Sequence, residues 1–191
     1  MEFGTLIFIA VVSIGVPQAQ ALRPSTIDIK ALELLYREGL HETNELIRQA
    51  RIPIENIIAT GKLNVSQQIH DSQAGVASSS GPNSECAKVH AATLQQRVNP
   101  EHLNDCDYNY SLNDALNKWD AVKSHIFFCS ISSTNGCVDE TKKEIKDLKA
   151  ANAKRIPDTV KLSDSCRQAH CENVVRIIAE IDAAFQNCLH V

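Results

Sequence analysis

The sequence predicts an all-α protein, a disulfide-stapled bundle of long antiparallel helices. Three observations carry that expectation. Apolar residues recur at steps of three and four over most of the chain, and no stretch sustains the period-two alternation of a strand. Aromatic residues make up only 5% of the chain, so Ala, Leu, Ile and Val must fill the core, which suits helix packed on helix. All seven cysteines lie beyond residue 85, and several share the apolar faces of the expected helices.

The first element is a leader. Thr5 to Val16 is a continuous apolar run, and Ala19-Gln20-Ala21 follows with small residues at both outer positions, the pattern of a cleaved secretory signal. Residues 1–21 are therefore expected to be a signal peptide. The run is shorter than the roughly 20 residues a membrane helix needs, and nothing later is apolar enough for a stable membrane span. Export places the chain in an oxidising compartment. There Cys86, Cys106, Cys129, Cys137, Cys166, Cys171 and Cys188 are expected to form a disulfide framework. Spacing leaves the connectivity open. The odd count leaves one thiol free or bridging two copies into a disulfide-linked dimer. Asn64-Val65-Ser66 and Asn109-Tyr110-Ser111 are acceptor sequences for N-glycosylation in the same compartment.

The mature chain divides into a cysteine-free helical segment, 22–83, and a cysteine-bearing helical part, 84–191. In the first, Thr26 reads as an N-cap with Asp28 in the opening turn. Ala31, Leu34 and Leu35 give helical spacing, and Gly39 is expected to stop or kink it. Leu46 and Ile47 lead to Pro53, which suits the first turn of a new helix. Ile54, Ile57, Ile58, Val65 and Ile69 continue that helix, with Gly61 weakening its middle. Asp71 to Glu85, with Ser78-Ser79-Ser80-Gly81-Pro82, reads as a loop or weak helix end.

The second part is more regular. Leu112, Ala115, Trp119, Val122, Ile126 and Cys129 form one helical face. Asp139 to Arg155 starts with acids and continues with Lys142, Lys146 and Lys149, read as a solvated face because Glu140, Glu144 and Asp147 interleave. Pro157 is expected to break or kink the chain. Cys171, Val174, Ile178, Ile181, Phe185 and Cys188 then form the apolar stripe of a final helix.

Chemistry is sparse. The formal charge of −4 gives no support for a nucleic-acid partner. No nucleophile elbow, zinc-protease helix or phosphate-binding glycine loop occurs, so no catalytic residue, cofactor or metal is assigned. One spacing stands out. Cys86 and His90, His102 and Cys106, His125 and Cys129, and Cys166 and His170 are each four apart, on one face of a helix. Two such pairs would make a Cys2His2 zinc site if the thiols were free; disulfides remove that option. The insect odorant-binding proteins share the small, secreted, helical, six-cysteine character, but Cys129 and Cys137, and Cys166 and Cys171, do not reproduce their diagnostic spacings.

A different family fits better. Phe127-Phe128-Cys129-Ser130, Cys166 ahead of a long helix closing on Cys188-Leu189, and Cys106 upstream give the region from Cys86 to Leu189 a pattern that resembles the TsetseEP-domain family of insects. The resemblance implies a secreted helical protein, gut-associated, with Cys106 as a partner in the same framework and no catalytic residue. The expected function is an extracellular interaction or structural role, without enzymatic activity, toward an extracellular protein or surface. The alternative is a carrier of a small apolar ligand held between helices.

Overall fold

The computed structural model describes residues 24–81, 84–132 and 136–190; the expected signal segment, 1–21, lies outside them. The elements are α1 (Thr26–Ser80), α2 (Glu85–Arg97), a 3-10 segment (Pro100–Cys106), α3 (Asn109–Ile131) and α4 (Cys137–Leu189). No strand occurs among the described residues.

Cross-helix bonds fix the directions. Lys149 reaches Glu42, Asn152 reaches Thr43 and Asp182 meets Ser72, so α1 and α4 run parallel. Arg97 reaches Glu180, Arg155 reaches Asp114 and His125 meets Glu144, so α2 and α3 run the other way. The bundle thus has three columns: α1, a return column of α2, the 3-10 segment and α3, and then α4. Each column is antiparallel to the next in sequence. At 55 residues, α1 is about 80 Å long.

The core is a chain of apolar clusters along this rod. At one end Leu32, Trp119, Val122, Ile126 and Ile145 pack together. Ile47, Ala50, Ile54, Leu112, Ala115 and Ile156 follow. Val65, Leu94, Val98, Leu103, Val174, Ile178 and Ile181 come next, and Val76, Ala87 and Phe185 close the far end. Residues 22–83 and 84–191 contribute to the same clusters. The helical faces read on α3 and α4 are the buried ones, except at Cys171 and Cys188. Cys171 is half-buried and Cys188 is exposed in the last turn of α4.

Several expected breaks are absent. Ser25, one residue before the expected cap, starts α1: its hydroxyl accepts from the Asp28 N–H, and the Asp28 carboxylate accepts from the Ser25 N–H. Pro53 does not start a helix and Pro157 does not end one; both lie inside continuous helices. An internal proline costs a helix about 3 kcal/mol. Burial of the neighbouring Ile54 and Ile156 in one cluster offsets that cost, since fully burying each aliphatic side chain stabilises by roughly 1.5–3 kcal/mol. The serine-rich segment stays helical to Ser80, where Gly81 ends it at φ 75°.

Gly39 neither stops nor kinks α1. It is buried, and a Cβ built there would lie 2.2 Å from Trp119 Cη2. The glycine is therefore the notch that receives the indole. Gly61 serves the same purpose against Arg167 and Leu103. Trp119 is locked further by an edge-on contact with Tyr36, 5.8 Å between centroids, and by donating from Nε1 to Thr43 Oγ1 at 3.0 Å.

Gly39→Ala tests the notch. Helix propensity alone predicts a gain of about 1 kcal/mol. The clash with the indole predicts a loss of roughly 1–3 kcal/mol and wins, because a buried ring cannot retreat cheaply. Urea unfolding followed by Trp119 fluorescence should show a lower midpoint.

Candidate functional site

Three disulfides form: Cys86–Cys188, Cys106–Cys166 and Cys129–Cys137. Each has one end on α4 and the other on the return column. Cys129 stands on the apolar face of α3, and Cys137, eight positions on, is the first residue of α4. Cys106 ends the 3-10 segment against the middle of α4. Cys86 starts α2 beside the last turn of α4. In the chain-entropy picture, closing loops of 102 and 60 residues stabilises by about 4–5 kcal/mol each. Cys171 is the free thiol, half-buried on the stripe that also carries Val174 and Ile178. All four cysteines of the Cys–His pairs are oxidised, so none is a thiolate ligand for zinc.

Two polar clusters interrupt the apolar core. In the first, Asn152 Nδ2 donates to Thr43 Oγ1 at 3.2 Å and to the Ala115 carbonyl at 3.3 Å, beside the Trp119 bond. One hydroxyl on α1 thus ties together α3 and α4.

The second cluster joins Ser72 of α1, His90 of α2 and Asp182 of α4. Ser72 Oγ donates to Asp182 Oδ1 at 2.6 Å. His90 Nε2 lies 2.8 Å from the same carboxylate oxygen and 3.1 Å from Ser72 Oγ. A serine, a histidine and an aspartate invite comparison with a hydrolase triad. The geometry is different. In a triad the acid and the serine sit on opposite ring nitrogens, so the imidazole can take the serine proton. Here both sit at Nε2, the serine donates to the acid, and Nδ1 is buried without a partner. The bonding pattern assigns the His90 proton to Nε2. His90 is 3% exposed, and its ring packs edge-on against Phe185, 5.5 Å between centroids. This cluster is a part-buried junction that binds three columns together around the buried His90.

A third group lines the surface. His102 and His170 face each other at 6.3 Å between ring centroids. With Arg97, Asp105, Asn173 and the Cys106–Cys166 bridge they border a cavity of about 340 Å³. Burial holds the His170 imidazole below its ordinary pKa; the neighbouring His102 adds to this and Asp105 opposes it.

The remaining expected sites lie on the exterior. Asn64 is exposed in the middle of α1 and Asn109 at the start of α3, where its amide bonds to Asp107. The lysine stripe is only partly a solvated face. Lys142 pairs with Asp139 on its own helix, whereas Lys149 crosses to Glu42 at 2.9 Å and Glu38 at 3.6 Å. Sequence reasoning missed Thr43, Asn152, Ser72 and Asp182. The available signal was polar residues at helical stripe positions, such as Ser72 between Ile69 and Val76.

Asp182→Ala leaves the buried His90 donor and the Ser72 hydroxyl without their acceptor. It should cost about 1 kcal/mol by chemical denaturation, more than Asp120→Ala on the exposed face of α3. The His170 shift has a definite sign. Its folded pKa lies below the unfolded value near 6.5, so the unfolded chain binds more protons. The stability held by neutral His170 is complete above that value and is lost as pH falls from it through the lower folded value. In metal-free buffer, His170→Gln should therefore show a shallower loss of urea midpoint from about pH 7 to 5 than the parent chain.

Compared with models of protein families, with curated proteins and with solved structures, the chain matches none of them.

Proposed function

We propose that the chain is a secreted, non-catalytic helical rod that works outside the cell by contacting another protein. The TsetseEP-like cysteine framework and the insect-gut setting it implies belong to this reading, as does the leader read at residues 1–21. One observation carries the interaction role. Where α1 begins and α3 ends, Ile27, Leu34, Phe127, Phe128 and Ile131 are each more than half exposed. Of these, Phe127 lines a groove of about 380 Å³ together with Ile29, Tyr36 and Ile126, with Arg37 and Lys123 as two cations beside Glu33. An exposed apolar concentration of this kind marks an interaction site on a water-soluble chain. The net positive rim fits a partner segment that presents an apolar side chain next to a carboxylate.

The carrier reading stands second, on one observation. A groove of about 450 Å³ between α1 and α4 is lined by Gln68, Ser72, Val175, Ile178 and Asp182. In it Gln68 Oε1 is buried without a donor. A small apolar molecule bearing one hydroxyl would fill both needs, and native mass spectrometry of protein taken from culture medium would detect it.

The full chain expressed in insect cells should appear in the medium with the three disulfides mapped above. Retention inside the cell with reduced thiols would sink the reading. A photo-crosslinker at Phe127, exposed to the fluid of the tissue of origin, should give a discrete adduct. That adduct should be lost in a crosslinker-bearing variant that also carries Lys123→Glu and Arg37→Glu. Adducts equally strong in the reversed-charge variant would refute the docking groove.

A further inference from the structure

Of the features left unassigned, one brings metal-ligating side chains together. His102 precedes Cys106 by four residues, and His170 follows Cys166 by four. The Cys106–Cys166 bridge joins the two cysteines, so each histidine stands about one helical turn from the same covalent anchor. That is why the two rings face each other. They do so at 6.3 Å between centroids and tilted by 41°.

From this geometry we infer a two-imidazole site for a divalent transition metal, zinc or copper, clamped by the Cys106–Cys166 disulfide. A tetrahedral ion bonded to one nitrogen of each ring at roughly 2.0–2.1 Å holds ring centroids about 5 Å apart. The observed 6.3 Å is wider, so rotation of the exposed His102 side chain brings the rings together on binding. Imidazole is a ligand both ions favour. Two further observations agree. His170 Nε2 is buried and has no hydrogen-bond partner, so that ring nitrogen is uncommitted. Asp105 borders the same cavity. The one cation on the rim, Arg97, is already paired with Glu180 at 3.0 Å.

Among the described residues no three His, Cys, Asp or Glu side chains stand ready as a cage. The site is accordingly a two-point clamp completed by Asp105 and water, open to solvent, and of moderate affinity. The disulfide keeps the two elements that carry His102 and His170 together whether or not an ion is bound.

Calorimetric titration of zinc chloride into the chelator-treated, fully oxidised chain tests this. One ion per chain is expected, with affinity at least 10-fold weaker in His102→Ala and in His170→Ala. His70→Ala and His190→Ala, on exposed surfaces elsewhere, should leave it unchanged. His102 is exposed, so its variant should fold even if His170→Ala does not. Circular dichroism checks both. Cobalt added in place of zinc should give visible absorption that disappears in His102→Ala. No measurable zinc binding, or binding equal in the parent and His102→Ala proteins, would overturn the site.

Discussion

The structure depends on α4 as a spine. Its first residue, its middle and its last turn each hold one cysteine, and these join in reverse order to Cys129, Cys106 and Cys86 on the return column. The return column is not one helix. It is α2, a short 3-10 segment and α3, of which the first two, at 13 and 7 residues, are too short to be stable alone. Bonding each piece to a continuous 53-residue helix turns them into one column of defined register. With that pair fixed, α1 has a ready groove to lie in, parallel to α4.

Register along such a rod is a separate problem. Aliphatic stripes tolerate sliding, because one leucine or isoleucine replaces another after a turn of about 5.4 Å. The polar clusters remove that freedom. Thr43 must meet Trp119 and Asn152, and Ser72 must meet His90 and Asp182, or buried polar atoms lose their partners. The indole of Trp119 fits only at Gly39. The two polar clusters are separated by about thirty residues on α1, enough to fix both its position and its rotation.

The helical class and the buried faces of α3 and α4 were legible in the sequence because a 3.6-residue period is a local property. Cys129 could be placed on a core face for the same reason. The prolines misled because local propensity argues for a break at Pro53 and Pro157, while packing across three columns decides against one. Gly39 misled likewise: its smallness answers to Trp119, eighty residues away, and nothing local reveals that. The candidate sites were only half visible. The four-residue Cys–His spacings were apparent, but which cysteines pair, and so which histidines meet, is set by topology. Ser72 and Asp182 carry no motif at all and became recognisable only once three helices converged on them.

The absence of cysteine from α1 divides the molecule in its response to cleavage. A single peptide-bond cut anywhere between Cys86 and Cys188 leaves both pieces covalently joined, because Cys86–Cys188 encloses the whole interval. A cut between Gly81 and Ser84 leaves α1 attached by side-chain packing alone. The chain is thus a covalently closed two-column body with a severable third helix, and a single nick between α1 and α2 frees that helix from every covalent tie without breaking a disulfide.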